Sequence, residues 1–396
     1  VAAIKAARKY FLALALLVLA QRQAAAKVST DLVLNYYRQA GGDGKQVYDG
    51  SGDQALTLYE PVLYINSQID HNTSLAGVLV FDALSSASAK AFDSGTGASK
   101  RGGGGGGEDD DEGGEDDDTL FPGWQTRVGA DAVYSKRAGS WAFSPSAGFS
   151  HELSYDSLHG GLNLQKFFAE DNFVLSAGAF HFADQANPWS LSKGDFAGFK
   201  AKTTNSVNAS ATQILDERSI ALAGLSYTHQ GGFLEGTRNT VSTGTVTQRA
   251  SESLPGWRDK YTANARYVRS LGAGLALHLD YRYYTDTWDI RAHTWEPALA
   301  WSFAEEAGAM RAYYRRYSQT AAKYYRDSFP VMTAYMTSDS DLAKFTANEA
   351  GLQLTYAPEP EEAGKSVWTY GGAVVYYKRS DGLHAAVLQA SLGKKF

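Results

Sequence analysis

Stretches of about ten to fifteen residues in which apolar and polar side chains strictly alternate run through this sequence, and they leave it few folds. In Leu275–Trp288, one face is Leu275, Leu277, Leu279, Tyr281 and Tyr283; the other is Ala276, His278, Asp280, Arg282, Tyr284 and Asp286. Thr294–Ala304 sorts Trp295, Pro297, Leu299, Trp301 and Phe303 against Thr294, Glu296, Ala298, Ala300 and Ser302. Trp141, Phe143, Pro145, Ala147 and Phe149 likewise oppose Ser144, Ser146, Gly148, Ser150 and Glu152. A helix needs a spacing near 3.6, so these are strands, and their length is that of strands crossing a bilayer. An arginine such as Arg282 pointed into hydrocarbon costs ~2–4 kcal/mol near the midplane, so the charged face must line a lumen.

The reading extends to sixteen segments, near 28–38, 55–67, 73–83, 126–136, 140–155, 159–169, 173–184, 203–215, 219–233, 257–271, 274–288, 290–303, 308–324, 343–357, 366–379 and 383–396. The predicted fold is therefore an all-β transmembrane antiparallel barrel of about 16 strands. With both ends of the barrel on the periplasmic side, the short links Asp70–Asn72, Ala138–Gly139, Asp171–Asn172, Asp216–Arg218 and Gly272–Ala273 all fall there. The long links Gly41–Gln54, Ser85–Gln125, Gln185–Lys202, Leu234–Gly256 and Arg326–Leu342 all fall at the extracellular end.

Composition agrees where it bears on this. Mean hydropathy is negative, which a barrel tolerates because only alternate residues meet lipid. The 24 Tyr and 8 Trp suit interfacial girdles. The absence of Cys excludes a disulfide framework and thiolate chemistry.

Residues 1–26 read as a signal peptide: Lys5, Arg8 and Lys9 precede the apolar run Phe11–Ala20, and Ala24–Ala26 offers a cleavage site. The barrel is then 27–396, with Sec-type export to the outer membrane of a Gram-negative bacterium as the expected route. Within a long loop over 84–125, the tract Gly102–Asp118 carries nine carboxylates. The net charge of −6 becomes −10 once Lys5, Arg8, Lys9 and Arg22 are removed, so most of the acidity sits in that tract.

FDALSSAS (Phe81–Ser88), GFSHELSYDS (Gly148–Ser157), YRYYTDTWDIRAHTWE (Tyr281–Glu296), YYRRYSQTAAKYY (Tyr313–Tyr325) and SDSDLAKF (Ser338–Phe345) resemble motifs of an outer-membrane barrel family catalogued as domain of unknown function 3570. The resemblance implies a barrel of that kind and no particular activity. The acidic glycine-rich tract departs from the family pattern. The final strand, with Leu388, Ala390, Leu392 and Phe396 on one face, resembles the signal read by the barrel-assembly machinery, although Lys394 stands where that signal is usually apolar.

The chemistry-bearing residues are lumen candidates. His278, Asp280, Arg282 and Asp286 would neighbour Lys260, Asn264 and Arg266 on the strand before, Glu296 on the strand after, and Arg311 and Arg315 on the next. Such a set serves either a self-satisfied polar interior or a selective path. Metal candidates are weaker. Asp49 and Asp53, with Ser51 and Glu60, match calcium-loop positions, but Gln54 occupies the place of the turn glycine. Asp109, Asp110, Asp111, Asp116, Asp117 and Asp118 lie in a tract that supplies no fixed geometry.

No cofactor is expected. Neither His278 with Asp280 nor His293, Thr294 and Glu296 has a nucleophile marked out beside it, so the chain does not read as an enzyme. The scattered basic residues do not read as a nucleic-acid surface. The expected function is a porin-like passive channel for small solutes or ions. The alternative is a non-conducting structural barrel that anchors or scaffolds proteins. Expected partners are outer-membrane lipid and lipopolysaccharide around the wall, the barrel-assembly machinery during biogenesis, and proteins at the loops or periplasmic rim.

Overall fold

The structure is a computed structural model and describes residues 27–41, 56–85, 125–193, 195–237, 239–243, 249–359 and 365–396. In chain order its strands are β1 (Lys27–Ala40), β2 (Leu56–Asp70), β3 (Thr73–Ser85), β4 (Gln125–Ala138), β5 (Trp141–Glu152), β6 (Tyr155–Phe168), β7 (Phe173–Ala186), β8 (Trp189–Ser190), β9 (Asp195–Phe196) and β10 (Lys200–Asp216). They continue as β11 (Ser219–Gly232), β12 (Thr240–Ser242), β13 (Arg249–Ser251), β14 (Trp257–Gly272), β15 (Leu275–Asp286), β16 (Arg291–Phe303), β17 (Gly308–Gln319), β18 (Phe345–Tyr356), β19 (Val367–Arg379) and β20 (His384–Lys395). The sixteen long strands pair antiparallel with their neighbours in sequence, and β1 closes on β20. Each corresponds to one of the sixteen alternating segments. The pairs β8–β9 and β12–β13 are small hairpins inside two long links, outside the wall.

Closure follows from the sequence. A flat sheet of this length would leave two edges of unpaired backbone, and joining β1 to β20 from Ser29↔Lys395 to Ala40↔His384 removes both. Most links at one end are tight: His71–Asn72 joins β2 to β3, Gly139–Ser140 joins β4 to β5, and Ala169–Asn172 joins β6 to β7, with Arg137 N donating to Asn72 O of the neighbouring turn at 2.7 Å. Ala169, Glu170 and Asp171 all take left-handed backbone, as do Ala304, Glu305 and Glu306 between β16 and β17. The longest links lie at the other end, as the sequence predicts, although the ten-residue link 357–366 lies at the first end and β15–β16 and β19–β20 are joined by four residues each at the second. Two departures occur there. Only Leu153 and Ser154 separate β5 from β6, and β17 stops at Gln319 instead of running to 324, because the next backbone N–H groups leave the ladder: Thr320 donates to Arg291 O, Ala322 to Leu342 O and Lys323 to Trp288 O.

Glycines tell the two faces apart. Asp131 on β4, Gly148 on β5 and His159 on β6 share one register row, and the His159 and Asp131 side chains meet across the glycine at 2.6 Å. Thr369, Gly393 and Asp31 repeat the arrangement at the seam, with Thr369 donating to Asp31 at 3.1 Å. A Cβ on either glycine would collide with both partners. Side chains two strands apart converge only on the concave side of a curved wall, so this face is the lumen. The opposite face carries exposed Leu158, Leu225, Trp295, Leu299, Leu352, Val374, Leu388 and many tyrosines.

Candidate functional site

The lumen face of β14–β18 carries a continuous charge belt. Arg266 stands directly opposite Asp280 and is ion-paired to it. Asp280 in turn stands opposite Glu296, a like-charge pair that would repel if left alone. It is compensated from the far side: Arg315 donates through Nε to Glu296 at 2.6 Å, and Arg311 donates to its other oxygen. Arg315 continues to Glu349 at 3.0 Å, and the Tyr313 hydroxyl donates to the same Glu349 oxygen at 2.9 Å. Glu349 and Tyr313 complete the belt although sequence reasoning did not single them out. The alternation places Glu349 on the lumen face, but only register sets it opposite Arg315.

The remaining candidates lie elsewhere on this wall. Arg282 is exposed between Asn264 and Thr294, and it forms no ion pair among the described residues. His278 sits between Val268 and Ala298, outside the ion-paired belt. Asp286 stands at the mouth. Its fully enclosed carboxylate accepts from Arg258 at 3.0 Å, the Tyr284 hydroxyl at 2.7 Å, and the backbone of Trp288 and Ile290 at 2.8 and 3.1 Å. Lys260 pairs in register with Asp286.

Across the lumen, β2–β5 present the opposite balance. Asp82 is ion-paired to Arg127, Glu60 lies beside Asp82, and Glu152 lies close to both Arg127 and Asp82. Three carboxylates thus share one guanidinium. One oxygen of Asp82 and one of Glu152 are enclosed without a partner among the described residues. Between these walls the inward positions Thr204, Ser206, Asn208, Ser210 and Thr212 of β10 are uncharged and polar, with Lys202 above them opposite Asp184.

Two long links fold over the mouth. The described parts of 233–256 and 320–344 pack with the β15–β16 link in a core of Leu254, Ala322, Trp288 and Ile290, and with each other in a second core of Val241, Phe329 and Met336. Reciprocal backbone bonds join Ser253 and Met336 at 3.0 and 2.7 Å. The cap is fastened to inward-facing side chains. Arg379 on β19 is ion-paired to Asp341 and donates to Ser340 O at 2.8 Å, and Gln319 on β17 donates to the carbonyls of Asp341 and Ala343 at 2.9 and 2.6 Å. Within it, burial pushes the Glu252 carboxyl up to about 8, with Asp339 beside it adding to the effect.

Asp49, Asp53, Asp109, Asp110, Asp111, Asp116, Asp117 and Asp118 lie outside the described residues. Among the described residues no group of three His, Asp or Glu is placed to hold a metal ion. No described helix is long and apolar enough to cross a membrane, which says nothing of strands.

The model of a family described as "Protein of unknown function (DUF3570)" matches residues 10–386. The chain belongs to this family. Among solved structures, the DUF3570 barrel is similar to the outer membrane protein OpdK of Pseudomonas aeruginosa, at TM-score 0.43 and 9% identity over 93% of this chain and 99% of that one. It is also similar to a BenF-like porin from Pseudomonas fluorescens Pf-5, at TM-score 0.45 and 8% identity over 94% and 99%. A bacterial polysaccharide outer membrane secretin gives TM-score 0.46 and 10% identity over 93% and 98%. No curated protein matches the DUF3570 chain.

Proposed function

We propose that this protein is a transmembrane barrel of the bacterial outer membrane acting as a passive, charge-filtering channel for small solutes or ions. What carries the reading is the pairing of a closed sixteen-strand wall with faces of opposite character. Leaving side chains such as Leu158, Leu225 and Val374 in water would forgo ~1.5–3 kcal/mol each, so hydrocarbon is the solvent that suits the outer face. Barrels of sixteen strands generally enclose an aqueous interior, and this one is lined by hydroxyls, amides and ion pairs. The long-link end then faces outward, following the asymmetry of such barrels.

Selectivity arises from the two unequal walls. A solute passing between Arg282 with the Arg266–Arg315 belt on one side and Glu60, Asp82 and Glu152 on the other crosses a transverse field. Zwitterions or polar molecules that align with that field are favoured over either bare ion. The cap, fastened inside the rim, narrows the entrance. Purified protein in planar bilayers should give discrete conductance steps, and Arg282→Glu should move the reversal potential in a salt gradient toward cation preference. Correctly folded protein with no conductance above background would overturn the channel and leave a scaffolding barrel.

A further inference from the structure

We propose that the outer face of β16–β20 and β1, just above its apolar band, is a binding site for the phosphorylated headgroup of an outer-leaflet glycolipid of the lipid A type. The proposal rests on the membrane reading above and adds a site to it. Trp295, Arg316, Asn348, Lys378 and His384 follow one another along a single register row on β16 to β20. Arg38 on β1 lies one same-face step from the position opposite His384, and His293 lies one such step above Trp295. All share the parity of Leu299, Leu352, Val374 and Leu388, so they point away from the lumen. Arg38, His293, Arg316, Lys378 and His384 are exposed.

Three observations indicate a ligand. First, the charge is uncompensated. From β15 through β20 to β1, no outward strand position among the described residues is a carboxylate. Arg38, Arg316 and Lys378 have no ion pair and no cation–ring contact among the described residues. The remaining outer wall differs: His151 is paired to Asp156 and His229 to Asp259, the latter at 2.7 Å. At the short-link rim, Lys166 rests on Trp141 and Lys394 on Trp368 and Phe396.

Second, the height is that of headgroups. Tyr36, Tyr314 and Tyr376 each sit one same-face step below Arg38, Arg316 and Lys378, and tyrosine marks the interface between hydrocarbon and polar heads. Third, the arginine is positioned. Asn348 Oδ1 accepts from Arg316 at 2.7 Å and from the Tyr314 hydroxyl at 2.6 Å, which holds the guanidinium to the wall with donors to spare. Arg316 and Lys378 are two strand spacings apart, roughly 10 Å, so one lipid with two phosphates can engage both. A guanidinium binds phosphate through paired donors, and beside hydrocarbon that contact is little screened by water.

The test is titration of barrel folded in non-ionic detergent with diphosphorylated lipid A, read by native mass spectrometry. Saturable binding is expected, weakened about tenfold or more in R38Q/R316Q/K378Q through loss of several charge-assisted contacts. Lipid A stripped of phosphate should bind the wild type no better than the intact lipid binds that variant. The control H151Q/H229Q should bind like wild type. Heat-modifiable gel mobility verifies folding. If the triple variant fails to fold, R316Q and K378Q tested singly must each weaken binding, with R316K restoring part of it. Unchanged affinity in the folded variants overturns the site, as does equal binding of the dephosphorylated lipid. Inorganic phosphate displacing the lipid at matched concentration would make the ligand a free anion and overturn the lipid assignment. A chain that stays folded and dissolved without detergent would instead defeat the membrane reading itself.

Discussion

The two charged walls of the lumen are built by different rules. On β14–β18, Arg266, Arg311 and Arg315 alternate with Asp280, Glu296 and Glu349 so that nearly every charge meets an opposite one in a neighbouring row. On β2–β5, Glu60, Asp82 and Glu152 compete for Arg127. The first wall satisfies itself except at Arg282 and Lys260, which form no ion pair among the described residues. The second sets three carboxyl groups against one guanidinium, an excess that its own strands do not match. Charges paired in the wall contribute to stability, whereas charges left over contribute to the field in the bore. Substitutions on the two walls should therefore have opposite signatures.

The largest effect is expected at the paired wall's upper end. Asp286→Ala strands the Arg258 guanidinium beside Trp288 and frees two backbone N–H groups, so it should cost ~3 kcal/mol in urea unfolding from lipid vesicles. It should also speed proteolysis of 320–344, since Trp288 and Ile290 belong to the cap core. Glu296→Ala leaves Arg311 and Arg315 without their shared acceptor. Because those arginines are partly hydrated, the expected loss is smaller, ~1–2 kcal/mol by the same measurement.

The cap itself responds to pH. Glu252 is held protonated in the folded cap up to about 8, against an ordinary value of 4.5. The unfolded loop therefore releases that proton first, and cap stability falls as pH rises between those limits and is level below them. Protection factors across 249–256, corrected for the intrinsic rise of exchange with pH, should fall over that window in the wild type and stay level in Glu252→Gln.

Glu152→Gln on the crowded wall should change stability by no more than about 1 kcal/mol, in the stabilising direction, while Glu60→Gln beside it should shift permeability toward anions. The smallest expected stability change is at Arg282→Gln, within ~0.5 kcal/mol, yet its reversal potential should move the opposite way. If Glu152→Gln destabilised the barrel as strongly as Glu296→Ala, the contrast between paired and crowded walls would fail.

How much of this was legible in the chain differs by feature. All sixteen wall strands could be read from alternation alone, because a two-residue period decides both the element and its two faces. The lumen set Arg266, Asp280, Glu296, Arg311 and Arg315 was also within reach, since charges on the inward parity of adjacent strands have few other places to go. Glu349, Tyr313 and the group of Glu60, Asp82, Arg127 and Glu152 were not singled out. Each depends on which residue faces which, and parity does not fix register.

The sequence by itself determined that the wall is built of strands, which side of each strand is wet, and at which end the longest links lie. Those properties belong to single segments and their nearest neighbours, where side-chain period and cost of burial suffice. Only the tertiary structure decided that acid-rich strands stand across the bore from base-rich ones, that Asp286 locks a cap instead of lining the belt, and that Arg38 joins Arg316 and Lys378 on one outer patch. The contacts of Asp286 follow from the register of β14 on β15, and the other two facts from closing β1 onto β20, which brings residues from the two ends of the chain into one row. No local pattern records that closure, because it is fixed by the stagger of the whole sheet.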